Sequence, residues 1–93
     1  MLVGVCEIEL FIPDSGSLKE KRFVLESLKK RIHQKFNVSV AEIGDTEKWQ
    51  RATFGVALVS NESKFIDQVF AKMINLVESD GRAEVMNYST DIL

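Results

Sequence analysis

Ninety-three residues, 45% of them apolar, can fill one hydrophobic core and cannot divide it, so a single domain over 1–93 is expected, with no disulfide or structural metal needed to hold it. Cys6 is the only cysteine, which excludes an internal disulfide and a multi-cysteine zinc site and makes a cytoplasmic protein the economical expectation. The formal charge of −2 hides a segregation: residues 17–36 carry seven Lys or Arg against two Glu, a balance of +5, which leaves −7 for the rest of the chain.

The first predicted element runs from Leu2 to Ile12. Leu2, Gly4, Cys6, Ile8, Leu10 and Ile12 alternate with Val3, Val5, Glu7, Glu9 and Phe11, the pattern of a half-buried strand. Glutamates at 7 and 9 and the lack of a basic leader make this a strand and not a signal sequence. No stretch approaches the roughly 20 apolar residues that would span a bilayer, and no membrane association is expected. Pro13 and the turn formers Asp14-Ser15-Gly16 end the strand. Ser17-Leu-Lys-Glu20 then has the form of a capping box, in which the serine oxygen accepts from the amide of residue 20 and the glutamate reaches back to the cap. In the helix that follows, Leu18, Leu25, Leu28, Ile32 and Phe36 share one stripe with Val24 at its edge.

Asn37 to Ile43 reads as a short strand, and Gly44-Asp45 opens a polar connection through Lys48. Trp49 to Ser60 alternates again, with Trp49, Arg51, Thr53, Gly55, Ala57 and Val59 on one face and Gln50, Ala52, Phe54, Val56 and Leu58 on the other. Asn61 is placed to cap a second helix, striped by Phe65, Ile66, Val69, Phe70, Met73, Ile74 and Val77 and ended by Asp80-Gly81. A last strand spans about Arg82 to Ile92. The order βαββαβ, with one apolar stripe per helix, is best satisfied by an α+β, ferredoxin-like arrangement. Both helices then cover one face of a four-stranded antiparallel sheet whose first and third strands are central, and the opposite face is left open.

VGVCEIEL, SLKEKR, FNVSVAEI, WQRA, GVALVSN and the closing DIL, in this order and spacing, resemble the YlxP-like family of small bacterial proteins, a domain of unknown function, over essentially the whole chain. The resemblance implies a ferredoxin-like fold. It also implies a ribosome- or RNA-related role, because genes of the family often lie among those for transcription elongation, translation initiation and ribosome maturation factors. Phe23 directly after SLKEKR departs from the polar or basic residue expected there.

The basic helix is the main functional candidate. Away from its apolar stripe, Lys19, Lys30 and His33 share an outward arc with Glu26, flanked by Arg22 and Lys29, and Phe23 lies within that arc. Cations that bind phosphate around a ring that stacks on an unpaired base suit single-stranded RNA. Lys19, Lys21 and Arg22 crowd the positive end of the helix dipole, where a bound phosphate would turn repulsion into attraction. On that reasoning, neutralising the three should leave thermal stability unchanged or raise it. Against all this, a basic helix face is ordinarily just a solvated one.

The open sheet face is the alternative. Val3, Val5 and Phe11, with Trp49 and Arg51 from the neighbouring central strand, would form an apolar surface suited to a homodimer or another interaction module. Trp49 is expected to pack there, with Arg51 paired to Glu7 or Glu9. RNA recognition by stacking on this face is disfavoured, since RATFGVALV lacks paired exposed aromatics and the two glutamates would lie where bases should.

Enzymatic chemistry has little to stand on. Cys6 lies on the inward face as an inert thiol, and His33 has no partner at triad or metal-ligand spacing. The PDSGS turn lacks the arginine of the phosphate-cradling loop in acylphosphatases of like topology. A non-enzymatic protein without cofactor or metal, associated with ribosomal RNA or the ribosome through its first helix, is therefore the expectation.

Overall fold

The alternation at the start of the chain becomes β1 (Leu2–Phe11), followed by α1 (Leu18–Lys35), β2 (Ser39–Gly44), β3 (Arg51–Ser60), α2 (Ser63–Asp80) and β4 (Glu84–Ile92) in a computed structural model that describes all 93 residues. The four strands form one antiparallel sheet in the order β2-β3-β1-β4. Two long strands rich in β-branched and aromatic residues thus take the centre, where both ladder edges are satisfied. Leu2 stands opposite Ser60 and Phe11 opposite Arg51, so β1 and β3 pair along their full length.

Cys6, Ile8 and Leu10 of β1 and Ala52, Phe54, Val56 and Leu58 of β3 are buried with Leu25, Leu28 and Ile32 of α1 and the apolar stripe of α2 in one continuous core. At Gly4 α2 lies close against the sheet: a Cβ there would lie 2.3 Å from Ile66 Cγ2 and 3.2 Å from the Phe70 ring. Only a residue without a side chain admits that approach.

Four local differences from the sequence reading have simple causes. The capping box forms, with Ser17 Oγ accepting from Glu20 N at 3.1 Å, but Glu20 reaches one residue further back and accepts from Gly16 N at 2.5 Å. The second helix is capped at Glu62 and not Asn61, because Ser60 Oγ takes the Glu62 amide at 3.1 Å and holds the entering chain extended. In α2, Phe65 is half exposed while Leu76 is buried, which turns the core stripe slightly toward the helix's C-terminal half. Regular β3 pairing starts at Arg51, leaving Trp49 outside the strand, although the Gln50 carbonyl accepts from Ile12 N at 2.8 Å.

Candidate nucleic-acid interface

On the outward side of α1, Lys19, Arg22, Phe23, Glu26, Lys30 and His33 are all exposed. Residues three or four apart on a helix are neighbours, so Phe23 lies between Lys19 and the Arg22–Glu26–Lys30 row. Its ring is 73% exposed, the largest value for any aromatic side chain in the molecule. Lys19, Arg22 and Lys30 form no ion pair, whereas Lys29 Nζ is 2.9 Å from Glu26 Oε1. That pairing neutralises the single carboxylate within the arc and removes Lys29 from the free cations.

Lys21 does not belong to this surface. Its side chain is fully buried, and Nζ donates to Glu42 Oε2 at 2.9 Å and to the backbone carbonyls of Asp45 (2.9 Å), Arg51 (3.1 Å) and Thr46 (3.3 Å). A cation surrounded by four protein oxygens and closed off from water cannot meet a phosphate. The reason lies in helical phase: Lys21 precedes Leu25 by four residues and Leu28 by seven, which sets it in the inward stripe. The expectation that neutralising Lys19, Lys21 and Arg22 together would leave stability intact fails for the same reason. The backbone amides at the positive end of the helix, which a bound phosphate would also need, are partly used, one by Ser17 Oγ, while the adjoining Gly16 amide is taken by Glu20.

Beside Phe23 an open hollow of about 590 Å³ lies between the end of β1, the first turns of α1 and the α2–β4 connection. Ile12, Phe23 and Val24 give it apolar walls, and its polar lining holds two cations, Lys19 and Arg82, and two carboxylates, Asp14 and Glu20. Arg82, which sequence reasoning passed over, is held rigidly there. Its Nε and one terminal nitrogen donate to the two Asp80 carboxylate oxygens at 2.7 and 2.9 Å, and the same terminal nitrogen donates to Ser27 Oγ at 2.9 Å. Arg31 Nη1 donates to Asp80 as well. The Arg82 guanidinium chiefly, with Arg31 adding to it, outweighs burial and holds the Asp80 carboxyl down at about 2.

The open sheet face carries Val3, Val5, Glu7, Glu9 and Phe11 from β1, opposite Val59, Ala57, Gly55, Thr53 and Arg51 of β3. Arg51 therefore faces Phe11 across the ladder and forms no ion pair with Glu7 or Glu9, contrary to expectation. Trp49 is 57% exposed and does not pack as a strand residue. Cys6 faces the core, where burial, reinforced by the neighbouring Glu7 charge, pushes its thiol up to about 11. It is therefore a protonated packing group at neutral pH. No group of three or more His, Cys, Asp or Glu side chains is placed to hold a metal. No helix is long and apolar enough to cross a membrane.

Residues 3–90 match the family described as "Protein of unknown function (DUF503)". A curated relative, the uncharacterised protein YlxP of Bacillus subtilis (strain 168), is 41% identical over 78 residues, covering 84% of this chain and 85% of that protein. Among solved structures, a de novo designed protein with a ferredoxin fold, determined by solution NMR, superposes with a TM-score of 0.53 at 11% identity, covering 100% of this chain and 84% of the designed one. The ferredoxin-like fold is thereby established, and the chain belongs to the DUF503 family, of which YlxP is a relative.

Proposed function

We propose that this member of the DUF503 family is a non-enzymatic RNA- or ribosome-associated protein, acting in ribosome maturation or translation, and that it binds through the outward face of α1. The observation that carries the reading is Phe23, an exposed ring set among Lys19, Arg22 and Lys30, three cations that no carboxylate of the protein neutralises. Exposing a phenyl group to water is unfavourable unless something covers it, and cations around it select a polyanion with flat apolar faces. An unpaired stretch of RNA has both features, its phosphates for the cations and its bases for the ring. The hollow beside Phe23 gives a splayed base room to lie against the ring.

The remaining −7 of charge restricts this to a local contact, because a polyanion approaching from another side is repelled. Cosedimentation of the tagged protein with ribosomal subunits across a salt series tests the reading. Association at low salt that falls steeply as salt rises is expected, through release of counterions from phosphate. Absence of cosedimentation at every salt concentration would refute it.

A further inference from the structure

The side of the sheet away from the helices carries a separate inference, independent of the RNA reading. Val3 stands opposite Val59 and Val5 opposite Ala57. Gly55, next along β3, has no side chain, and Ile43 covers the space: a Cβ at Gly55 would lie 2.9 Å from Ile43 Cγ2. These residues make a low apolar platform over β2, β3 and β1, with Val59 62% and Ile43 52% exposed. Along its border, on β1 and β4, stand Glu7, Glu9, Glu84 and Asp91. None of them forms an ion pair, although Asp91 accepts from the neighbouring Ile92 amide. Asp91 stands opposite Val5, Glu7 opposite Gly55 and Glu9 opposite Thr53, so with strands about 4.8 Å apart these three carboxylates are within reach of a segment lying on the platform.

We propose that this face docks a cationic amphipathic segment of another protein, with its apolar side chains over Val3, Val5 and Val59 and its lysines or arginines over Glu7, Glu9 and Asp91. Charge complementarity selects this occupant. A second copy placed face to face would bring Glu7 and Glu9 against a surface of the same sign, where Arg51 is the single cation to offset four carboxylates. Nucleic acid is repelled by the same groups. With Ile43 filling the space over Gly55 and only a methyl group at Ala57, the platform is low enough for a helix or strand to lie flat, which is how apolar burial and ion pairing can be satisfied together.

The test is fluorescence anisotropy with a labelled synthetic peptide of leucine and lysine at amphipathic-helix spacing, titrated with the full chain. Binding is expected, and it should weaken about tenfold in Glu7→Gln/Glu9→Gln and again in Val59→Ser, sites exposed enough to leave the fold intact. Asp67→Asn/Glu78→Gln, which removes two exposed carboxylates from α2, should leave the affinity unchanged. Equal losses in both double variants would mean charge attraction without a site and would overturn the proposal. So would absence of binding, or a mass by analytical ultracentrifugation that doubles with concentration and is unaffected by the peptide, which would assign the face to a second copy.

Discussion

Lys21 Nζ lies 2.9 Å from Glu42 Oε2 and joins the first turn of α1 to the helix-facing side of edge strand β2. The same ammonium group donates to the carbonyls of Asp45 and Thr46 at one end of the β2–β3 connection and of Arg51 at the other. Three N–H groups serve four acceptors, so one hydrogen is shared. Dehydrating a cation is costly, and this arrangement offsets the cost with one carboxylate and three carbonyl dipoles. It also holds Asp45 in its left-handed conformation, φ 60°, which the connection needs in order to turn.

Replacing Lys21 with glutamine should therefore destabilise the fold by roughly 3–5 kcal/mol, the range for breaking a buried pair from one side. Lys19→Gln/Arg22→Gln, two positions away in either direction at most, should stay within about 0.5 kcal/mol of the parent. Urea unfolding followed by circular dichroism separates the two cases. A Lys21→Gln midpoint equal to that of the parent would show that the site is not the fastening described.

The element order, the capping serine and the exposure of Phe23 were legible in the sequence because each rests on a local period or a local cap, and the central strands followed from the crossover topology that this order imposes. Lys21 was misplaced through its residue type. Its phase relative to Leu25 and Leu28 pointed inward, and the alternation of Val38, Val40 and Glu42 put a carboxylate on the same side of β2. Reading either residue alone gives a surface charge, whereas reading the two phases together gives a buried pair. Arg82 and Asp80 were not legible at all, since their meeting with Arg31 depends on where the C-terminus of α2 lands beside α1.

Asp80 predicts an acid-side dependence. Its carboxyl is lowered from an ordinary 3.8 to about 2 in the folded protein, so the unfolded chain takes up the proton first as pH falls. The contribution, about 2 kcal/mol, is complete above about pH 5 and is lost as pH falls through 2. Asp80→Asn should be less stable than the parent at neutral pH by about that amount, and the gap should have narrowed to a small fraction of it by pH 2. Urea midpoints measured between pH 6 and 2 check this, and a gap that stays constant would contradict it.

The two sheet glycines should respond differently to alanine. At Gly4 the new Cβ meets Ile66 and Phe70, both buried between α2 and the sheet with nowhere to move. A loss of about 1–3 kcal/mol is expected from overpacking. At Gly55 the obstacle is Ile43, whose half-exposed side chain can swing toward solvent, so Gly55→Ala should cost less than half as much. Thermal unfolding of the two variants side by side gives the ranking, and a reversed order would mean that α2 does not ride on β1 as closely as described.

The proposed α1 interface divides into charge and stacking, and salt distinguishes them. For a single strand, each phosphate contact contributes about 0.7 to the slope of log affinity against log salt. Lys19→Gln, Arg22→Gln and Lys30→Gln combined should therefore flatten that slope by about 2. Phe23→Ser removes a ring that touches no phosphate, so it should weaken binding to a labelled single-stranded RNA by about 1–3 kcal/mol per stacked base with the slope unchanged. Because the ring is 73% exposed, the same substitution should alter folding stability by no more than about 0.5 kcal/mol. Parallel lines for Phe23→Ser and a shallower line for the triple variant are the expected pair of results. If Phe23→Ser binds as the parent does, the ring is not a stacking platform; if the triple variant keeps the full slope, the phosphates are held elsewhere on the protein.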